Sequence, residues 1–211
     1  MFGQSFDTTF SKGDEEYTVR FLEPTEYDIL YSIMKENPRV HGMQLSNDDI
    51  ETYCKLTLGA IPRGFKKVAV TFTSDGPMSF SIANEKPIIG SWVQGLTVKK
   101  PQKRFVHNPI RLISAPMDFL VEQMENKGYY KFWDISRDKL NNARENWLSQ
   151  YTTKLDRYDY FTEEIIPPGA SSKTPLFEEH RRILPKESAT VRLYVLKEKY
   201  RLELINKNSV K

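Results

Sequence analysis

The chain has 211 residues, enough for one domain with appendages, and its 31 Lys and Arg nearly balance its 28 Asp and Glu. A net charge of +3 favours solubility and does not indicate a nucleic-acid partner. The single Cys54 excludes an internal disulfide, and no apolar run approaches the roughly 20 residues that a membrane helix requires. Because the first residues lack the basic start and apolar core of a secretory signal, we predict a cytoplasmic protein with no membrane contact.

The first 16 residues form a predicted N-terminal arm. Phe2, Phe6 and Phe10 recur at every fourth position, but Gly3 and Gly13 make a stable helix of this length unfavourable. Two interpretations remain open. The arm is either a frayed terminus with one or two phenylalanines packed on the domain, or a segment that binds a protein partner.

A strand over residues 17–22 is followed by two predicted helices. The first has a capping-box pattern over residues 25–28 and an apolar stripe that stops at Asn37-Pro38. The second starts with a similar box at Ser46 and carries Ile50, Tyr53, Cys54 and Leu58 on one face. Since Cys54 belongs to this apolar face, we interpret it as a buried structural thiol and not as a nucleophile.

Three strand-like segments come next. Residues 68–73 and 78–83 flank the turn Ser-Asp-Gly-Pro and predict a hairpin with one buried face. Residues 88–98 are rich in β-branched and aromatic side chains and contain Gly90 and Gly95, a pattern typical of a strand that bends or lets a ligand approach its backbone. Whether this segment is one bent strand or two short ones is left open.

A helix follows the basic run KKPQKR of residues 99–104. Both Asn108-Pro109 and Ser114-Ala115-Pro116 are helix-start patterns, and we favour the second because Pro116 inside a helix removes a hydrogen bond and kinks it. Gly128 is the predicted left-handed stop, and an aromatic strand follows over residues 129–135. Strand, helix and strand together predict a βαβ unit. The helix face predicted to pack on the sheet is Phe119, Leu120 and Met124.

The remaining chain carries one more predicted helix, two strands and a long loop. Ser136 is placed to cap a helix with Leu140, Ala143, Trp147, Leu148 and Tyr151. The strands are residues 158–166 and 190–196. The loop 167–189 contains the basic cluster His180-Arg181-Arg182, and a loop this long in a compact domain is typically functional. We predict a domain over residues 17–200 and a charged, solvated tail over residues 201–211.

The order β, α, α, β meander, α, β, α, β, β resembles the GNAT superfamily of N-acetyltransferases over residues 17–200. Within the superfamily the sequence is similar to GNAT-like proteins of tailed phages, in which a helix ending MENKGYYKFWDI is followed by a segment like LDRYDYFTEEIIPPG. The resemblance implies an α/β (α+β) fold with a mixed, mostly antiparallel twisted sheet flanked by helices.

The resemblance also implies acetyl-CoA as cofactor and an amine of unknown identity as acceptor. In GNAT enzymes the backbone of a splayed strand follows the pantetheine arm, a role that falls on Leu96, Thr97 and Val98. Amides at the start of the next helix hold the pyrophosphate, which places Lys103, Arg104 and Asn108 near it. Unpaired N–H donors and a positive dipole end make a helix N-terminus suitable for an anion.

Three residues are candidates for proton transfer. GNAT enzymes use a Tyr to protonate the departing thiolate, but alignment on Ala143 places Trp147 there, so that Tyr151 one turn later becomes the candidate. Glu85 and Asp134 lie at strand ends and are the candidate general bases. We expect strand-end acids of this kind to be solvated.

Two departures from the family keep a second hypothesis open. The segment KRFVHNPIRLISAP contains no glycine, and Trp147 stands where the catalytic Tyr is expected. The chain could therefore be a GNAT-fold protein without catalysis that acts as a binding or assembly component, virion-associated in a phage, with the N-terminal arm or loop 167–189 as its protein contact. The run KKPQKR is either a solvated turn or a segment that attracts a phosphorylated cofactor or a nucleic-acid backbone. His41, His107 and His180 lack metal-ligand spacing, so no metal is predicted.

Overall fold

The computed structural model describes residues 8–11, 16–40, 43–64, 66–86, 91–100, 111–137, 154–170 and 188–209. Its helices are α1 (Tyr27–Glu36), α2 (Asn47–Ala60), α3 (Arg111–Asn126) and α4 (Glu198–Ser209). The strands are β1 (Thr8–Ser11), β2 (Glu16–Phe21), β3 (Arg39–Val40), β4 (Met43–Gln44), β5 (Lys66–Thr73), β6 (Gly76–Lys86), β7 (Ser91–Lys99), β8 (Lys131–Arg137), β9 (Tyr158–Ile166) and β10 (Ala189–Leu196).

The main sheet has the strand order β1-β2-β5-β6-β7-β8-β10-β9, while β3 and β4 form a small hairpin of their own. Five neighbouring pairs of the main sheet are antiparallel, and β7 with β8 is parallel. This confirms the predicted mixed, mostly antiparallel sheet. Among the residues that the structure describes, none of the helices combines the length and the apolar character needed to cross a bilayer.

The chain divides into two compact units. The first comprises residues 1–85 and 96–121, and the second comprises residues 86–95 and 122–211. The core of the first unit is an apolar cluster contributed by α1, α2, β5 and β6. The predicted stripe of α1 supplies Leu30, Ile33 and Met34, all fully buried.

The hairpin β5–β6 confirms the predicted turn, but residues 68–71 and 79–83 are buried without interruption, so the prediction of a single buried face is wrong. Val70 pairs with Phe80 across it, and both side chains are buried. Gly76 begins β6 with a φ of +94°, a conformation that other residues adopt only with strain. The N-terminal arm contributes β1, a strand that the sequence did not predict, which pairs with β2 and places Phe10 opposite Tyr17.

One of the two predicted capping boxes is confirmed and one is wrong. At α2 the Ser46 hydroxyl accepts from the Asp49 amide, and the Asp49 carboxylate accepts from the Ser46 amide. At α1 the N-cap is Glu26 and not Thr25, and no side chain caps the first turn; the Glu26 carboxylate instead accepts two hydrogen bonds from the Arg20 guanidinium at 2.6 and 2.8 Å. A bidentate charged pair is stronger than a neutral cap, and tertiary structure therefore overrides the local pattern.

In the second unit, β10 lies between β8 and β9 and pairs antiparallel with both. Aromatic rings fill its interior: Phe132 stacks on Tyr194 with 4.7 Å between ring centroids and meets Tyr158 edge to face at 5.3 Å. Ser136 belongs to β8, so its predicted role as a helix cap is wrong, and the helix predicted after it lies outside the described residues. Where the sequence predicted a charged tail, α4 forms a helix with Leu204 buried.

Candidate active site

The parallel pair β7–β8 and the helix between them form the predicted βαβ unit. Trp92 pairs with Phe132 and Val93 with Trp133, all of them residues of the second unit. Parallel neighbours require a long crossover, which here is α3. The connection from strand to helix therefore leads from the end of β7 to the start of α3, and it carries the basic run.

Helix α3 begins at Arg111, and Pro116 lies inside it. The predicted start near Ser114 is therefore wrong. Pro116 cannot donate to the carbonyl of Leu112, which removes one helical hydrogen bond. Burial of apolar side chains around much of the helix offsets this loss; the buried residues are Ala115, Met117, Phe119, Leu120, Val121 and Met124.

The end of α3 is a Schellman motif, as Gly128 predicts. The Tyr129 amide donates to the Met124 carbonyl at 3.1 Å, and the Gly128 amide donates to the Glu125 carbonyl at 2.8 Å. Gly128 has a φ of +84°, which a residue with a Cβ adopts only with strain. This motif turns the chain directly into β8.

The residues predicted to bind the cofactor are described only in part. Leu96, Thr97 and Val98 lie in the extended second half of β7, while Lys103, Arg104 and Asn108 lie outside the described residues. One lysine of the basic run is already paired: Lys100 Nζ lies 3.1 Å from the Glu36 carboxylate at the end of α1, and its amide donates to the Met78 carbonyl. The run is thus not a uniformly solvated turn.

Of the three candidates for proton transfer, two are described, and neither is solvated. Glu85 on β6 and Asp134 on β8 are both buried, so the expectation of solvated strand-end acids is wrong. Asp134 lies directly opposite Arg192 of β10, which is also buried, and opposed positions of an antiparallel pair project from the same sheet face. The burial of Asp134 is therefore accompanied by an opposite charge on the same face. Tyr151 lies outside the described residues.

A buried polar cluster that the sequence did not predict joins α3 to the start of β9. The Glu125 carboxylate accepts a hydrogen bond from the Tyr158 hydroxyl at 2.9 Å and from Arg157 Nη1 at 3.0 Å. Burial, and then the neighbouring Glu125 charge, raise the pKa of Tyr158 far above its usual value. The Tyr158 hydroxyl is therefore a neutral donor to the Glu125 carboxylate. Glu125 is an acidic residue in the last turn of α3, where a negative charge interacts unfavourably with the helix dipole. This was the one sequence pattern that could have indicated a partner for Glu125.

Cys54 is buried on α2, and burial raises the pKa of its thiol to about 12. This confirms the prediction of a structural thiol, because a nucleophilic cysteine requires a lowered pKa. No group of three or more His, Cys, Asp and Glu side chains is placed to hold a metal ion in the part of the chain that the structure describes. His41, His107 and His180 lie outside that part.

Comparison by sequence finds no matching family model and no matching curated protein. Solved structures do match. The ribosomal-protein-S18-alanine N-acetyltransferase from Escherichia coli is 13% identical with a TM-score of 0.57, over 86% of this chain and 95% of that one. RimL, a ribosomal L7/L12 alpha-N-protein acetyltransferase solved in complex with coenzyme A, is 10% identical with a TM-score of 0.59, over 90% and 98% of the two chains.

An aminoglycoside 6'-acetyltransferase type Ii is 10% identical with a TM-score of 0.56, over 84% of this chain and 96% of that chain. The fold is that of the GNAT acetyltransferases. At these identities the likeness establishes the GNAT fold and leaves the reaction to be argued from this chain's residues. The similarity to GNAT-like phage proteins stays a prediction.

Proposed function

We propose that this chain is an N-acetyltransferase that takes its acetyl group from acetyl-CoA. The observation that carries the proposal is the βαβ unit β7–α3–β8 within a GNAT fold, since that fold belongs to named acetyltransferases, one of them solved with coenzyme A. The resemblance of the order of elements to the GNAT superfamily implies the same activity.

The described residues fit an anionic cofactor in one respect and differ from the family in another. Helix α3 is 16 residues long, and its first four residues, 111–114, include no proline, so their amides have no partner within the helix and can donate to a phosphate. Pro116 lies beyond this first turn and removes none of these donors. Because no glycine precedes the helix, side chains keep a phosphate further from the backbone, and we assign the main attraction to Lys103 and Arg104.

Acetyl-CoA would supply an activated thioester, and the chain must supply proton transfer. Glu85 and Asp134 are the candidates to accept the proton of the acceptor's ammonium group, which must become neutral before it can attack. Tyr151 is the candidate to protonate the departing thiolate. The backbone of Leu96, Thr97 and Val98 is assigned to the pantetheine arm.

The acceptor is proposed only as an amine. The solved neighbours are named for a ribosomal-protein alanine, for ribosomal L7/L12 and for an aminoglycoside, which are chemically different acceptors on one fold. Nothing in the described residues selects among them, and function on a shared fold is set by the site.

Calorimetry with acetyl-CoA at low salt tests the proposal. We expect binding with a Kd near 100 µM, about −5.5 kcal/mol, which Lys103→Glu with Arg104→Glu weakens at least tenfold. A matched control is Lys55→Glu with Arg63→Glu, which makes the same change in charge at two exposed positions of the same unit and should leave binding intact.

Turnover is measured separately with a panel of amines and a thiol-detecting reagent. Acetyl transfer that is lost in Tyr151→Phe supports the assigned acid. Binding without transfer to any amine would support the second hypothesis, a GNAT-fold binding component without catalysis. The absence of heat at millimolar acetyl-CoA would contradict the proposed cofactor altogether.

A further inference from the structure

Strand β9 is the terminal strand of the main sheet in the described part of the chain, and it exposes large apolar side chains. Tyr160 is 52% exposed, Phe161 is 53% exposed and Ile165 is 65% exposed. A terminal strand presents backbone N–H and C=O groups on its outer side, and natural proteins avoid combining such an edge with exposed apolar residues unless something pairs with it.

A β-bulge in β9, where Glu163 is the extra residue between the partners of Val191 and Arg192, decides which face Ile165 shares with the earlier side chains. Before the bulge Tyr160 pairs with Tyr194 and Phe161 with Leu193, whereas after it Ile165 pairs with Thr190. Positions 194 and 190 share a face, so Tyr160 and Ile165 lie on one side of the sheet and Phe161 lies on the other. Before the bulge, residues 158–162 of β9 pair regularly with β10, which makes them the stretch suited to accept another strand.

The charge of β9 identifies the kind of partner. Asp159 and Glu163 are exposed, Glu164 is half-buried, and the strand contains no basic residue although the whole chain carries +3. A second copy of β9 would bring acidic side chains against acidic side chains, and like charges on paired strands are destabilising. A strand rich in Lys or Arg would instead complement the acidic residues.

We propose that β9 binds an extended basic segment of another protein, which adds to the sheet edge as a further strand. The backbone of residues 158–162 pairs with the segment, Asp159 and Glu163 attract its Lys or Arg side chains, whose stems cover Phe161, and its apolar side chains cover Tyr160 on the opposite side of the sheet. The segment alternates basic and apolar residues, because successive side chains of a strand point to opposite faces. The interaction does not depend on acetyl transfer.

The test uses the full chain and a fluorescent peptide of alternating Lys and Val, seven residues long with both ends blocked, in fluorescence anisotropy without acetyl-CoA. We expect saturable binding that weakens with salt. A peptide with Glu in place of Lys should not bind. A Lys and Val peptide with Pro at its centre keeps the charge but loses a backbone donor, and should bind at least tenfold more weakly.

Two variants and one control locate the site. Asp159→Lys with Glu163→Lys should weaken binding at least tenfold, and Phe161→Ser should weaken it while the melting temperature stays near that of the parent. The control Glu51→Lys with Asp75→Lys makes the same charge change at exposed positions of the first unit and should bind like the parent.

Three results would overturn the proposal. Equal binding of the proline peptide would mean attraction by charge alone, without strand addition. Unchanged binding to the β9 charge variant would place the peptide elsewhere. Self-association of the chain in sedimentation, abolished by Phe161→Ser and insensitive to the peptide, would identify a second copy as the partner of this edge.

Discussion

The two units of the molecule differ in what they bury. The cluster of the first unit consists of aliphatic and aromatic side chains and Cys54. Outside this cluster the first unit buries one described ionisable side chain of this kind, Glu85, whereas the second buries Glu125, Asp134 and Arg192 together with the hydroxyl-bearing rings of Tyr158 and Tyr194. The apolar cluster gains its stability from area removed from water, whereas the polar interior depends on each charge keeping its partner.

The two interiors therefore tolerate different substitutions. In the first unit a residue of similar size and apolar character is tolerated and a charge is not. In the second unit removing one member of a polar cluster leaves another member unsatisfied, while removing all of them together costs little. The three predictions that follow test this contrast, beginning with the largest effect.

Leu120→Asp places an unpaired charge among the apolar residues of α3. Leu120 is almost fully buried, and we expect a loss of at least about 5 kcal/mol, enough to unfold the chain. Thermal melting followed by circular dichroism measures this. The matched control is Leu56→Asp on α2, where the leucine is 69% exposed and the cost should stay below about 1 kcal/mol. If Leu120→Asp melted like the parent, α3 would not pack as described.

Glu125→Ala tests the polar cluster of the second unit. It leaves Arg157 and Tyr158 without their acceptor, and we expect the free energy of unfolding in urea to fall by about 3 kcal/mol. The triple change Glu125→Leu, Arg157→Met and Tyr158→Phe should recover most of that loss, because it removes every unsatisfied group. Glu203→Ala at an exposed position of α4 is the control, expected within about 0.5 kcal/mol of the parent. A triple variant less stable than Glu125→Ala would show that the cluster is worth more than its apolar replacement.

Glu26→Gln removes the charge that holds the start of α1 to Arg20. The hydrogen bond from the Arg20 side chain is the main cause that lowers the pKa of Glu26 below its ordinary value. Because the pKa of Glu26 is lower in the folded chain than in the unfolded chain, the ionised carboxylate stabilises the fold above the unfolded pKa of about 4.3. This contribution is lost as the pH falls through the folded pKa. In urea denaturation, the free energies of unfolding of parent and variant should therefore differ by about 1 kcal/mol at pH 7 and become equal near pH 2. A difference independent of pH would mean that geometry and not charge holds this corner.

The predictions from sequence succeeded where a short stretch determines its own conformation. The capping box at Ser46, the turn at Gly76 and the stop at Gly128 depend on residues within five positions, and the structure has all three. Much of the order of strands and helices followed from hydrophobic periodicity, although β1, β3, β4 and α4 were not predicted, and the GNAT fold was inferred from the resemblance of that order.

The failures have tertiary causes. Pro116 was predicted to begin a helix, but burial of the surrounding face sustains a helix that already starts at Arg111. Glu125 meets Tyr158 from 33 positions away, which no local pattern reveals. The candidate site was predicted through resemblance: its strand and helix are found in the described residues, Glu85 and Asp134 are buried instead of solvated, and Tyr151, Lys103, Arg104 and Asn108 stay predictions.

Neither compact unit is a continuous stretch of chain, because the chain passes from one to the other after residues 85, 95 and 121. Both β7 and α3 are divided in this way, so that part of each belongs to the first unit and part to the second. No single cut yields either unit intact, and neither can be exchanged between proteins as a genetic cassette or produced as a contiguous fragment. During synthesis the first unit still lacks residues 96–121 when residue 85 leaves the ribosome, so its completion must wait for part of the second unit to be made.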